Sequence, residues 1–247
     1  MINFNNSTFF YEPFPHSTLH NVIEESDYNK ICSEFPETNL LNKMQDKRKD
    51  EKKFFKYNLS NRGKDEKKFF EILNKSKTIK KFYNYLNSKI FLEKLTEFLL
   101  KNHIDLKINP NQSFKNSLIN KLLKRELKIN FEFSAISSNN GFILPHTDGP
   151  NKIIGFVLPV IDNIDILNAK KLGTQILSPT ENAYKFNYFN KTVPFNKTLV
   201  VKEIPFEKNQ ISLHVKTFNS LHAVGPIDPS NLKKEIFRKS ITFFLEK

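Results

Sequence analysis

The chain is poor in residues that cross-link a fold or span a bilayer. Its 247 residues include one cysteine, Cys32, no tryptophan and six glycines. A lone cysteine excludes an intramolecular disulfide and any zinc site built on several thiolates. Long apolar runs are missing too: the longest, Ile153 to Ile161, falls far short of the roughly 20 residues a membrane helix needs. The opening MINFNNSTFFYEPF has neither a basic start nor an apolar stretch, so it does not read as a signal peptide. These absences predict a reduced, cytoplasmic, soluble protein with no membrane partner. Acidic residues are also scarce, 26 against 39 lysines and arginines, leaving a net charge of +13. Such a charge attracts polyanions. The lysines, however, are spread along the chain among Asp and Glu, and Lys, Asn, Ile and Phe are abundant together, as AT-rich coding would produce. This pattern reads as solvated surface, and nucleic acid is not the expected partner.

What is present suffices for a core: 38% apolar residues and 25 phenylalanines. The pattern changes character near residue 126. Before it, helical spacing dominates. Tyr28, Ile31, Cys32 and Phe35 recur at helical intervals, with Ser26 as N-cap and Pro36 as stop. Ile79, Phe82, Tyr83 and Leu86 follow Ser76, and Phe91, Leu92, Leu95, Phe98 and Leu99 follow Ser88. A fourth helix is predicted around Leu118, Ile119, Leu122 and Leu123. The Lys-rich stretch 42–71 carries KDEKKFF at Lys49–Phe55 and again at Lys64–Phe70. It reads as an exposed loop and helix, with a lid beside a substrate site as the sharper alternative. His16 and His20 fall in a turn-rich segment and His103 after a helix end, all read as structural.

After residue 126 the period becomes two. Ile129, Phe131, Phe133 and Ala135 alternate with polar residues, and KIIGFVLPV, GTQIL, YKFNYF, KTLVVKEI, ISLHVKTF, HAVGPI and RKSITFFLE read as short strands between turn residues. Many short strands without a Gly/Ser hinge predict an α+β fold of one domain, residues 1–247. Helices from 1–125 would pack on one side of a closed β core formed by 126–247.

The chemistry concentrates in GFILPHTDGP. Residues i and i+2 of a strand point the same way, so His146 and Asp148 project together from a strand end that Gly-Pro then breaks. Such a pair occurs often by chance. A third group, His222 in NSLHAVGPI, lies several strands downstream, where a closed sheet would bring it back. Two imidazoles and one carboxylate on one face of an iron leave open positions, the arrangement of non-haem Fe(II) oxygenases. Near the C-terminus Arg238, Ser240 and Thr242 alternate on one strand face, with Ile241 and Phe243 on the other. A guanidinium so placed suits bidentate binding of a carboxylate. His214 competes with His222 on spacing alone.

On these residues the chain resembles the Fe(II)- and 2-oxoglutarate-dependent oxygenases, in particular their prolyl-4-hydroxylase-like branch of bacterial and phage type. The resemblance is carried by His146-Thr-Asp148, His222 in SLHAVGPI, and Arg238 followed by Thr242 in RKSITFFL. LGTQIL, NKTLVVKEI and the opening EPFPHSTLHNVI add weaker matches, so that most of residues 10–245 are covered. It implies a double-stranded β-helix, the jelly-roll or cupin shape. It implies Fe(II) held by His146, Asp148 and His222, 2-oxoglutarate held by Arg238, Ser240 and Thr242, and ascorbate as an optional accessory. It implies hydroxylation of a peptidyl proline, a free amino acid or another small molecule. A same-fold oxygenase acting on a sugar or cell-envelope intermediate, or a silent barrel that binds an anionic partner, are the alternatives. The chain departs from the family in three places. Arg238 lies farther past His222 than is typical, FVLPV carries no tyrosine for the cosubstrate, and Phe244 stands where nucleic-acid demethylases have a second arginine. The oligomeric state is left open by the sequence.

Overall fold

The computed structural model describes residues 1–44, 56–108, 127–139 and 141–247. The fold is mostly β-sheet with some helices. In chain order the elements are β1 (Ser7–Phe10), β2 (His16–His20), α1 (Glu25–Glu34), β3 (Asn42–Lys43), β4 (Lys56–Ser60), α2 (Glu66–Lys75), α3 (Lys77–Leu86) and α4 (Lys89–Lys101). They continue with β5 (Lys128–Ser137), β6 (Ile143–His146), β7 (Lys152–Val160), β8 (Thr174–Pro179), β9 (Thr198–Ile204), β10 (Gln210–Val215), β11 (His222–Val224) and β12 (Phe237–Glu246). One sheet has eight strands in the order β1-β2-β10-β7-β12-β5-β4-β3, the other four in the order β6-β11-β8-β9. No helix among the described residues is long and apolar enough to cross a membrane.

The register of the large sheet sorts its side chains. Opposite residues of antiparallel neighbours project to the same face. Leu59, Phe133, Ile241 and Leu158 form one row across β4, β5, β12 and β7, and Phe131, Phe243, Phe156 and Leu213 the next. All eight are buried against the helices, which contribute Phe69, Phe82, Phe91 and Leu92. Phe156 stacks on Phe243 at 4.5 Å, and Phe82 meets Phe243 edge-on at 5.8 Å. Such pairs add to area burial because ring quadrupoles favour offset and edge contacts. The opposite face is polar: Lys56 and Arg238 flank Ile136, then come Asn58, Ser134 and Ser240, then Ser60, Glu132 and Thr242.

The helices follow the apolar periodicity, but their caps do not follow the sequence cues. Ser26 lies inside α1, whose N-cap is Glu24 with no side-chain bond. The helix stops because Phe35, preceding Pro36, is extended, as the proline ring requires of its predecessor. Ser76 starts α3 without capping it. Glu34 of α1 instead accepts from the Thr78 and Ile79 amides at 2.7 and 3.0 Å, placing a carboxylate at the positive helix end. Ser88 does cap α4, accepting from the Phe91 amide at 3.3 Å. The second KDEKKFF copy forms the first half of α2 and buries Phe69 completely, while Lys64, Glu66 and Lys67 stay exposed. The first copy and the helix predicted around Leu118–Leu123 fall outside the described residues.

Three further differences stand out. The N-terminal half, read as mostly helical, carries β1 to β4, which join the large sheet. His16 and His20 lie in β2 rather than in turns. YKFNYF is not a strand. Asn187 folds its side chain onto Lys191, donating to the carbonyl and accepting from the amide at 2.8 Å, so the backbone closes a local turn instead of pairing with a ladder.

Candidate metal centre

His146 ends β6 and His222 begins β11, and the two are direct partners in the ladder. Thr147 points the other way, fully buried, and its hydroxyl donates to the Asn187 carbonyl. That alternation returns Asp148 to the side of His146. One ligand atom from each of His146, Asp148 and His222 lies within 4.8 Å of the others. Contraction by small side-chain adjustments would bring all three onto one cation at the ~2 Å bonds direct ligation demands.

The local bonding prepares these groups for a cation. Nδ1 of His146 lies 2.8 Å from the Leu144 carbonyl, and Nδ1 of His222 lies 3.0 Å from the Ser220 carbonyl. A carbonyl only accepts, so Nδ1 carries the proton in both rings and Nε2 keeps its lone pair. Neither Nε2 has a hydrogen-bond partner among the described residues. Burial lowers the pKa of His146, partly offset by the Asp148 charge. Burial lowers His222 further, reinforced by the nearby His214 and His146. Both rings therefore stay neutral, the form that binds metal. Asp148 is 2% exposed. Burial alone would raise its pKa, but the bond and charge of His214, with His222 and Lys152, hold it well below the ordinary carboxylate value. The two donors are Lys152 Nζ, 2.8 Å from Oδ1, and His214 Nε2, 2.6 Å from Oδ2. Two neutral imidazoles with free lone pairs beside an ionised carboxylate fit a divalent cation.

His214, the rival ligand on spacing, thus stands beside the cluster as a donor to Asp148. Its ring centroid is 4.2 Å from that of His222. Gly155, opposite His214 in the β10–β7 register, makes room for it. A Cβ at Gly155 would lie 2.4 Å from His214 Cε1 and 2.6 Å from Nε2. Gly155→Ala is therefore expected to destabilise the protein by about 1–3 kcal/mol, the usual range for overpacking a filled core. It should also weaken binding of Mn(II), because the displaced imidazole can no longer orient Asp148. Urea unfolding with and without Mn(II) reads both effects, and an unchanged midpoint and metal shift would remove the contact from the account.

Arg238, Ser240 and Thr242 line the same cavity, which has a volume of about 430 Å³ between the two sheets. Arg238 is 2% exposed, and burial pushes its pKa down to about 9 with Glu203 acting against the shift, so it stays charged at neutral pH. Its Nε donates to the Leu172 carbonyl at 2.6 Å and its guanidinium lies 4.4 Å from the Phe206 ring centre. Among the described residues no carboxylate pairs with it, which leaves the remaining N–H fork for an anion. The side chains of Ser240 and Thr242 make no hydrogen bond to the described residues.

Three groups escaped the sequence reading: Lys152, Lys56 and Glu132. Lys152 was legible four residues after Asp148. Lys56 sits in a Lys-rich stretch where one lysine looks like another. Glu132 alternates with Phe131 and Phe133, the period-two signal of an inward polar residue.

Neither a family model nor a curated protein matches this chain. Among solved structures it is similar to a prolyl hydroxylase from Trichoplax adhaerens in complex with a hypoxia inducible factor oxygen degradation domain peptide fragment. The identity is 12%, with 94% of this chain and 83% of that chain covered and a TM-score of 0.49. It is similar also to a Pseudomonas putida prolyl-4-hydroxylase, at 10% identity, 94% and 92% coverage and TM-score 0.49. Prolyl 4-hydroxylases from Phytophthora capsici match at 12% identity, 94% and 58% coverage and TM-score 0.48. These neighbours are prolyl hydroxylases, but at such identities and TM-scores the likeness assigns no activity, which only this chain's own side chains can support.

Proposed function

We propose that this chain is an Fe(II)- and 2-oxoglutarate-dependent dioxygenase, one domain over residues 1–247 whose two sheets form a double-stranded β-helix. The observation that carries the reading is the convergence of His146, Asp148 and His222 in a cavity also lined by Arg238, which is buried and has no paired carboxylate among the described residues. His146, Asp148 and His222 would hold the iron. Arg238, with the hydroxyls of Ser240 and Thr242, would take the far carboxylate of 2-oxoglutarate.

The overall reaction converts a substrate C–H, O2 and 2-oxoglutarate into a hydroxylated product, succinate and CO2, one oxygen atom entering each organic product. A bound iron supplies the O2 and redox chemistry. The protein's own contribution is positional. The Leu144 and Ser220 carbonyls lock the two imidazole tautomers, and His214 and Lys152 keep Asp148 ionised and oriented. Phe206 and the Leu172 carbonyl fix the guanidinium, and Ile143 and Val224 add apolar side chains to the cavity wall. Such preorganisation holds reacting groups in place at no further entropic cost during the reaction.

Purified protein given Fe(II), ascorbate and 2-oxoglutarate is expected to release succinate slowly without added substrate. His146→Ala and Asp148→Ala should abolish that release while far-UV circular dichroism stays unchanged. A wild type that binds neither Fe(II) nor 2-oxoglutarate would favour a silent barrel with an anionic partner instead.

A further inference from the structure

The cavity has a second charged feature, on β4 and β5 beside the strand that carries Arg238, Ser240 and Thr242. Lys56 on β4 and Glu132 on β5 project from the same polar face, their side chains only 17% and 14% exposed, with Nζ and Oε2 3.9 Å apart. That is the outer edge of ion-pair distance. Neither group has another hydrogen-bond partner among the described residues. Burial lowers the Lys56 pKa, and Glu132 only partly restores it. Two half-buried charges held this loosely are poor as a structural bridge, because close bonding is what offsets their desolvation. Around them the side chains of Asn58 and Ser134 also make no hydrogen bond to the described residues, yet both line the cavity. A wall of uncommitted donors and acceptors is built for a polar ligand.

The spacing narrows the ligand's chemistry. A cation and a carboxylate about 4 Å apart complement a molecule that carries a carboxylate and an ammonium on one carbon. A simple acid would satisfy Lys56 and repel Glu132, and a simple amine the reverse. A peptide backbone brings neither charge, and would meet the two groups only with a neutral carbonyl and N–H, the weaker kind of hydrogen bond. We propose that the cavity takes, beside 2-oxoglutarate, a small zwitterion of the free α-amino acid type, its carboxylate on Lys56 and its ammonium on Glu132. Ile143 and Val224, on the other sheet, offer the apolar wall its hydrocarbon part requires. That this zwitterion is the molecule hydroxylated rests on the oxygenase reading; that it binds here does not.

The experiment uses the full chain with Mn(II) as a redox-silent metal. Thermal shift and calorimetry are run with each of the twenty standard free amino acids, with and without 2-oxoglutarate. They are repeated with the N-acetyl and C-terminal amide forms of any that bind. At least one free amino acid is expected to raise the melting temperature, and both capped forms to bind roughly ten-fold or more weakly, the loss of one charge-assisted bond. Lys56→Met should erase discrimination against the amide, and Glu132→Gln discrimination against the N-acetyl form. If either variant fails to fold, the capped ligands on the wild type still decide. The proposal is overturned if no free amino acid binds, or if capped forms bind as tightly as free ones. Failure of Mn(II) and 2-oxoglutarate to bind, with amino-acid discrimination intact, would remove the oxygenase reading and leave the zwitterion site standing.

Discussion

Removing residues 241–247 is expected to yield a chain with no cooperative melt. These residues are the second half of β12, a strand inside the large sheet with β5 on one side and β7 on the other. Ile241, Phe243 and Leu245 are fully buried. Burying one such side chain contributes about 1.5–3 kcal/mol, so the three together approach the roughly 5–15 kcal/mol by which a whole domain is stable. The deletion also leaves ladder groups of β5 and β7 unpaired in the interior, and an unpaired buried amide or carbonyl costs about 1–3 kcal/mol. Phe156 would lose its stacking partner and Phe82 its edge contact. Circular dichroism of the truncated chain on heating reads the outcome. A soluble protein with a sharp transition would mean that this run is an accessory tail.

Arg238→Ala is expected to weaken 2-oxoglutarate binding by about 3 kcal/mol or more, a roughly hundred-fold or greater rise in Kd, as for truncating one partner of a buried charge pair. The size follows from burial and from the lack, among the described residues, of a carboxylate paired with the guanidinium, which leaves its N–H fork for the far end of the diacid. Arg238→Lys should recover only part of the affinity, since an ammonium cannot reproduce the two-pronged contact. Calorimetry with Mn(II) present measures both variants. An unchanged Kd for the alanine variant would take Arg238 out of the cosubstrate site and with it the proposed role of β12 as the cosubstrate strand.

Much of the β core was legible locally. KIIGFVLPV is β7 because a short apolar run bounded by turn residues suits a strand, and RKSITFFLE lies within β12 because period-two alternation records which face of a strand is apolar. His146 and Asp148 were legible as a pair for the same reason. The helices with Ile79, Phe82 and Leu86, and with Phe91, Leu95 and Phe98, were legible from the period of 3.6. What failed were features decided by residues outside the stretch itself. Ser76 looked like the cap of α3, yet Glu34 occupies that place because α1 packs beside it. YKFNYF has strand composition, yet its Asn187 side chain bonds the Lys191 backbone just beyond it and closes a turn there. KDEKKFF looked solvated, yet Phe69 enters the core when α2 lies against the sheet.

The amino-acid order by itself determined which side chains each strand turns inward: His146 with Asp148, and Arg238 with Ser240 and Thr242. Local geometry suffices there, since alternation is a property of one strand. Only the tertiary structure decided which inward groups meet. Facing ends of β6 and β11 join the two imidazoles, β10 delivers His214 to Asp148 across the space left by Gly155, and neighbouring β4 and β5 set Lys56 beside Glu132. Those meetings depend on strand order and register, which are set by the burial of the whole phenylalanine-rich face and not by any short stretch of chain.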